Sequence, residues 1–327
     1  MTKLIDCTIR DGGHLNNWNF SNDCVKQSYI AATEAGADYF EIGYRCDTPQ
    51  NNWGEFANCN DEFLKDLITP NDCCKIAIMV DAGKCSIDKF ADYNTQNTII
   101  SLVRVATYPQ ELKKALELCE GLHKKGYEVF LNLMAVSKYC DEDFNLIRNW
   151  KNKNILQSTC FADSFGAFTP DDVVKYKKIL NNIGLNKISF HSHNNLQLAF
   201  ANSIKALEQD FYSIDATIYG MGRGAGNLPA ELMTTYLSKM GQTKYNPNAY
   251  LNIIENYYIE HMNQTPWGYK LQSIISGLKN IHPYYIDELY KQNPQIDEIL
   301  IKADLIKKNA SISYDFQDLK NILYKND

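Results

Sequence analysis

The run Phe190-His191-Ser192-His193-Asn194-Asn195 carries two histidines at i and i+2. They close a short β-like stretch from Lys187 to Phe190, and residues two apart on a strand share a face. Imidazoles placed this way at a strand end converge on one point, which is the geometry a bound metal ion needs. A pair of polar residues on a solvated edge strand is the competing reading, because short motifs have many accidental matches. The N-terminus tips the balance. Asp6-Cys7-Thr8-Ile9-Arg10-Asp11-Gly12-Gly13-His14 ends another short apolar strand with Arg, Asp and His around two glycines. The Asp11 carboxylate with the imidazoles of His191 and His193 makes a facial set of divalent-metal ligands that leaves positions open for substrate. This mixed oxygen and nitrogen set suits Mn2+, Co2+, Mg2+ or Zn2+.

Arginine marks other candidate positions. Of thirty-three basic residues only Arg10, Arg45, Arg104, Arg148 and Arg223 are arginine, and the Lys, Asn, Ile and Tyr bias points to an AT-rich coding sequence. Arginine kept against that bias is expected where a rigid fork of donors is needed. Arg148 sits in an amphipathic stretch and reads as a solvated surface charge, as does His123. The ten cysteines include an adjacent pair, Cys73-Cys74, but no Cys-x-x-Cys, so zinc-ribbon spacing is absent. They read as reduced, half-buried small hydrophobes.

These residues need a scaffold, and the chain alternates strand-like and helix-like segments. Candidate strands are 3–8, 39–43, 75–80, 99–106, 128–135, 159–163, 187–191 and 213–219, several of them near-continuous apolar runs, as parallel strands covered by helices should be. Amphipathic stretches lie between them, at 23–35, 109–125, 171–181, 197–207 and 229–240. Thr169-Pro170-Asp171-Asp172 is a helix-start signal. Eight β/α units over about 240 residues predict an α/β fold, a TIM (β/α)8 barrel, over residues 1–242. Residues 243–327 are expected to form a small C-terminal helical region, with 248–325 reading as helices only.

In a TIM barrel the chemistry sits at the C-terminal ends of the strands. Arg10, Asp11, His14, Glu41, Tyr44, Arg45, Asp81, Asp163, Ser164, His191, His193 and Tyr219 all fall there, with Arg104 and Asn132 within the fourth and fifth strands. The net charge of −6 and pI near 5.6 argue against nucleic acid, which calls for a basic face. No apolar run approaches the roughly 18 residues of a membrane span, and Asp6 interrupts the N-terminus before a signal-peptide core forms. The expectation is a soluble, cytoplasmic protein with no membrane partner.

Asp6-x-Thr8-x-Arg10-Asp11-Gly12, His191-x-His193 and Gly222-Arg223-Gly224-Ala225-Gly226-Asn227 together resemble the DRE-TIM (HMGL-like) metallolyases. That superfamily holds pyruvate-forming aldolases, 3-hydroxy-3-methylglutaryl-CoA lyase, and the isopropylmalate, homocitrate and citramalate synthases. The resemblance spans roughly residues 3–240. His14 stands where the synthases and the CoA lyase carry Gln, as it does in 4-hydroxy-2-oxovalerate aldolases. Val103-Arg104-Val105-Ala106-Thr107, Ala162-Asp163-Ser164-x-Gly166-Ala167, His193-x-Asn195-Leu196 and Ala201-Asn202-Ser203 also look like that branch. The glycine loop lacks the catalytic cysteine of the CoA lyase.

The resemblance implies a metal-dependent, class II-type pyruvate aldolase, a carbon–carbon lyase acting on a 4-hydroxy-2-oxo acid, and it favours Mn2+. The keto and carboxylate oxygens of the 2-oxo acid would chelate the ion, which acts as a Lewis acid and stabilises the enolate. Asn227 matches a metal-proximal asparagine, although a turn residue in a glycine-rich loop explains it as well. Arg10 would point donors at the enolate oxygen or carboxylate; a structural ion pair is the plain alternative. His14 is the candidate general base for the 4-hydroxyl, weighed against a solvated loop histidine. Asp163 is a further catalytic candidate, ranked below these because a strand-end Asp can equally cap the next helix. Arg45, Ser164 and Asn132 join Arg10 as substrate-binding candidates.

The expected partners are a small 2-oxo acid and an aldehyde, and a homo-oligomer is compatible with the sequence. In the aldolases an acylating aldehyde dehydrogenase docks on the C-terminal region, which also supplies a catalytic tyrosine. Gly43-Tyr44-Arg45-Cys46-Asp47-Thr48-Pro49, Trp267-Gly268-Tyr269 and His282-Pro283-Tyr284-Tyr285 differ from that branch, which puts the aldehyde substrate, the dehydrogenase partner and the tyrosine in doubt. A Claisen-type acyl-CoA synthase or lyase is the alternative within the superfamily. A catalytically silent barrel is the alternative outside it, and the complete Arg10/Asp11/His14/His191/His193 set argues against that.

Overall fold

A computed structural model describes residues 2–93, 97–292 and 295–324 of the chain. Eight parallel strands close a barrel in sequential order: β1 (Lys3–Asp6), β2 (Tyr39–Tyr44), β3 (Lys75–Asp81), β4 (Ile100–Thr107), β5 (Glu128–Leu133), β6 (Ser158–Asp163), β7 (Ile188–Ser192) and β8 (Ser213–Ala216). β1 pairs with both β2 and β8, which completes the ring. The expected TIM barrel is therefore present. The strands read as continuous apolar runs because one face fills the barrel and the other packs under helices. The helix Pro170–Asn182 starts on Thr169, with Pro170 in its first turn and a reciprocal bond to Asp172, as the sequence signal predicts.

The interior is layered by strand alternation. Ile5, Tyr39, Ala77, Leu102 and Phe130 pack together as an apolar floor, while Ser158, Ser189 and Ser213 share hydroxyl hydrogen bonds of 2.6 Å across β6, β7 and β8. Two residues further along the same strands come Glu41, Arg104, Asn132, Cys160, His191 and Asp215, all buried.

Three strand ends fall short of expectation. β1 stops at Asp6, because Asp6 Oδ1 accepts the backbone N–H of Thr8 and turns the chain into the helix Thr8–Asn16. β5 stops at Leu133, and Ala135 is left-handed with φ 50°. β8 stops at Ala216, and Ile218–Gly220 forms a 3-10 turn in which Tyr219 has φ 57°.

The C-terminal region is helical throughout its described part, from Pro247–Ile253 to Phe316–Tyr324; residues 293–294 and 325–327 of the expected region lie outside the described residues, as does Met1. Its first part, including Tyr245, Tyr250, Tyr258 and Trp267, belongs to the main hydrophobic core, whereas a second cluster gathers Ile275, Tyr285, Ile286, Leu289, Ile299, Ile306 and Leu319. Among the described residues no helix is long and apolar enough to cross a membrane.

Candidate active site

Arg10, Asp11 and His14 lie on the helix Thr8–Asn16, not on a glycine loop. Asp11 and His14 are one turn apart and share its face. Gly12 and Gly13 serve close approach here: a Cβ on Gly12 would stand 2.6 Å from Met221 Sδ, and one on Gly13 2.0 Å from the Trp18 ring. Trp18 Nε1 in turn donates to the Arg10 carbonyl at 3.0 Å.

From Arg10 the side chains form a closed ring. Its Nη1 donates to Asp11 and its Nε to Glu41 Oε2 at 2.7 Å. Arg104 Nη1 reaches the same Glu41 oxygen at 3.1 Å, and its Nη2 reaches Asp215 Oδ2 at 2.5 Å. Asp215 Oδ2 meets His191 Nδ1 at 3.0 Å, and His191 Nε2 returns to Asp11 at 3.4 Å. All six residues are buried. Three carboxylates against two guanidiniums leave the ring at −1 when the imidazole is neutral, a charge that favours a cation.

Hydrogen bonding decides which ring nitrogens face the site. A carboxylate and a carbonyl only accept, so His191 Nδ1–H donates to Asp215, and His193 Nδ1–H donates to the Asp163 carbonyl at 3.0 Å. Each Nε2 is thereby left for the Asp11 side, with the imidazole rings 4.9 Å apart; burial would lower the His191 imidazole, but the Asp11 and Asp215 carboxylates outweigh it and push it up. The ligand atoms of Asp11, His191 and His193 lie within 4.8 Å of one another. Asp11 Oδ1, His191 Nε2, His193 Nε2 and Asn227 Oδ1 are buried without a hydrogen-bond partner, whereas buried polar atoms are ordinarily satisfied. Asn227 Nδ2 is held by the Met221 carbonyl at 2.9 Å, which leaves Oδ1 as the inward group. The three atoms of Asp11, His191 and His193 fit a divalent cation, and Asn227 is bridged by backbone to His193 beside them.

A second group, Cys7, His191 and Asp215, is equally compact. It fits less well, because Asp215 Oδ2 is committed to Arg104 and the Cys7 thiol, pushed up by burial, points at the Ala216 carbonyl. Burial alone would raise the Asp11 carboxyl, but the Arg10 guanidinium and His191 outweigh it and hold it well below the usual range.

His14 is half-buried against Trp18 and Tyr44, with Nε2 3.5 Å from the Tyr44 hydroxyl. Burial, then the Arg223 charge, hold its imidazole well below the ordinary range, so at neutral pH it is uncharged, with one ring nitrogen able to accept a hydrogen bond. His14 and Tyr44 also line a cavity of about 840 Å3 that opens from the barrel mouth.

Comparison with known proteins supplies the lineage. The HMGL-like family model matches residues 1–256. The chain belongs to the HMGL-like family. It is a carbon–carbon lyase of the DRE-TIM superfamily, and the family implies a divalent metal. An oxaloacetate decarboxylase of Mycobacterium tuberculosis is 24% identical over 73% of this chain and 70% of its own. A 4-hydroxy-2-oxovalerate aldolase of Geobacillus genomosp. 3 is 29% identical over 73% of this chain and 71% of its own. Among solved structures, the N-terminal domain of a Bacteroides vulgatus protein that carries a provisional aldolase name superposes with a TM-score of 0.79 at 31% identity, covering 92% of this chain and 99% of that one.

Within this HMGL-like site, several expected residues have other work. Asp163 does not reach Arg10: its two carboxylate oxygens accept the N–H groups of Ala167 and Phe168 at 2.9 and 3.0 Å, and burial pushes it up to about 7. Its contribution to the site is the carbonyl that orients His193. Ser164 Oγ accepts from the Ala135 N–H at 2.8 Å, holding the left-handed residue after β5. Arg45 is committed to the carbonyls of Cys59 and Lys89 and to Asp61, so its fork braces the β2 loop and does not present itself to a substrate. Asn132 does face the interior, with Oδ1 buried and unpartnered.

Sequence reasoning left Glu41 and Arg104 without a role and passed over Asp215. Their signal was a charge flanked by apolar neighbours within a strand, as in Ile214-Asp215-Ala216 and Val103-Arg104-Val105. Arg223 is one of the five arginines and part of the glycine loop, but the sequence assigns it no site role. Its guanidinium has no ion pair or hydrogen bond to the protein among the described residues and stands over the Tyr284 ring at 6.0 Å.

Proposed function

We propose that this carbon–carbon lyase is a divalent-metal-dependent aldolase, cleaving a 4-hydroxy-2-oxo acid to pyruvate and an aldehyde or running the reverse condensation. The observation that carries the reading is the convergence on one rim of three unpartnered ligand atoms, the Arg10 fork and the uncharged imidazole of His14. The names of relatives at 27–29% identity support it. Asp11, His191 and His193, with Asn227 as a fourth ligand, would hold a divalent ion, which when bound would supply Lewis acidity toward a keto oxygen; Mn2+ suits this donor set.

The chain's own groups then do the following. His14 takes the proton of the 4-hydroxyl, and the C3–C4 bond breaks as the C4 oxygen becomes the aldehyde carbonyl. The bonding pair passes to C3, giving the enolate of pyruvate; C3 then takes up one proton and His14 gives up the one it accepted, so the proton count closes. Arg10 keeps a nitrogen free beyond its bonds to Asp11 and Glu41 and places positive charge where the enolate oxygen develops. Arg223, the guanidinium without a protein partner, receives a carboxylate. Asp215 fixes the His191 tautomer and acts as a positioning residue. The ten free cysteines support a reducing, cytoplasmic setting.

The decarboxylase relative favours one second reading, in which carbon dioxide in place of an aldehyde leaves C3 of oxaloacetate and the same enolate remains. That reaction has no hydroxyl proton to remove. Pyruvate release from 4-hydroxy-2-oxo acids with Mn2+, read beside exchange of pyruvate methyl protons, separates the two. His14→Ala should lower cleavage by about 10²–10⁴ and spare exchange, while Arg10→Ala loses both. Oxaloacetate turnover without aldol cleavage would move the assignment to the decarboxylase, and cleavage that survives exhaustive chelation would sink the metal reading.

A further inference from the structure

The cavity beside His14 lies, at about 840 Å3, near the top of the roughly 300–1,000 Å3 range of small-molecule sites. A two-carbon aldehyde would leave most of it empty. Its lining sets it apart: pockets of this size are mostly walled by hydrophobic and aromatic side chains, yet no leucine, isoleucine, valine, methionine or phenylalanine lines this one. Aromatic faces come from Trp18, Tyr44 and Trp53, with Trp18 5.1 Å from Trp53 and 5.5 Å from Tyr44. Between them stand the hydrogen-bonding groups of Asp47, Gln50 and Asp81. Asp47 uses one oxygen on the Ser86 N–H and keeps the other.

Such a wall matches a ligand with C–H faces to lay on aromatic rings and hydroxyls to bond to carboxylates and an amide. Beyond the Ala57 and Thr48 methyls and the stems of Arg45 and Lys84, an alkyl chain would find no aliphatic side chain to pack on. A phosphorylated ligand would find no excess of positive charge, since Arg45 and Lys84 are paired with Asp61 and Asp81.

We propose that the aldehyde half of the substrate is an uncharged, polyhydroxylated chain, a sugar-derived aldehyde, seated between the Trp18–Trp53 pair and the Asp47, Gln50 and Asp81 side chains. This rests on the aldolase reading. The test uses the full chain with Mn2+ and two 4-hydroxy-2-oxo acids of equal length, one with an alkyl tail and one hydroxylated at each tail carbon, with pyruvate proton exchange measured alongside. The hydroxylated acid should show a kcat/KM about a hundredfold higher. Gln50→Ala and Trp53→Ala should each cut that preference by about tenfold, with folding checked by circular dichroism. Equal or better cleavage of the alkyl acid overturns the sugar assignment and leaves the aldolase standing. A preference untouched in both folded variants also overturns it. Absence of exchange and of cleavage of either acid overturns the aldolase reading, and the sugar assignment with it.

Discussion

On the floor of the barrel, Ile5, Tyr39, Ala77, Leu102 and Phe130 form an apolar cluster; two residues further along, β2 and β4 carry Glu41 and Arg104 instead, and β8 adds Asp215 to the same layer. Both layers are sealed from water and obey the same alternation. The floor stabilises the fold by area, about 1.5–3 kcal/mol for each large apolar side chain buried. The charged layer contributes little of that kind, because desolvating an ion costs about as much as its partner returns. It persists because every charge in it has a partner, and removing one strands the next. Stability is thus concentrated below and chemistry above, in a barrel whose backbone does not distinguish them.

Breaking one member of each layer is the strongest test of this contrast. Arg104→Met leaves Glu41 without one of its two cations and Asp215 with only its His191 contact, so unfolding free energy should fall by about 3–5 kcal/mol. Leu102→Ala on the floor should cost about 2–5 kcal/mol but leave metal stoichiometry intact, whereas Arg104→Met should disturb both. Urea titration with metal analysis reads both quantities. A neutral Arg104→Met would mean that the ring is not held together as ions.

A milder change sharpens the comparison within the upper layer. Asp215→Asn keeps the size of the side chain but weakens its grip on His191 Nδ1–H, so metal affinity should drop about 10–100-fold with a small loss of stability. Isothermal titration with Mn2+ measures it, and an unchanged affinity would relieve Asp215 of any part in orienting the ligand.

The smallest effect expected lies outside the barrel interior. Glu231 accepts the Tyr219 N–H at 3.0 Å, and burial pushes its carboxyl from 4.5 up to about 7. Between those values the folded chain binds more protons than the unfolded one, so this residue makes stability fall as pH rises through the window. Glu231→Gln keeps an acceptor and cannot ionise. Relative to the unsubstituted protein it should therefore gain about 1–3 kcal/mol as pH goes from 4.5 to 7 and then level off. A stability difference that stays flat across that range would place the Glu231 carboxyl in water.

Much of this was legible along the chain. Apolar runs separated by amphipathic stretches specify strands and helices locally, and their number and spacing leave few folds besides a closed barrel. His191 and His193 are two apart on a strand, so their common face follows from the pleat alone, and Asp11 comes with the motif at the first strand end. The misreadings were local as well. The first strand was expected to run to residue 8, but Asp6 turns the chain into a helix there, on which Met221 and Trp18 leave Gly12 and Gly13 no room for a Cβ.

What the amino-acid order determined by itself was the set of polar residues delivered to one rim, because strand parity and strand ends are properties of neighbouring residues. What only the tertiary structure decided was how those residues divide the work. Asp215 meets Arg104 across 111 positions of chain and Arg104 meets Glu41 across 63, so the closed ring exists only once the barrel has closed. Asp163, Ser164 and Arg45 have the right chemistry and the right strand ends, but nearby backbone groups claim them first. A hydrogen-bonding group spent on a backbone N–H or C=O is no longer available to a substrate, and which groups are spent depends on distances that no local pattern encodes.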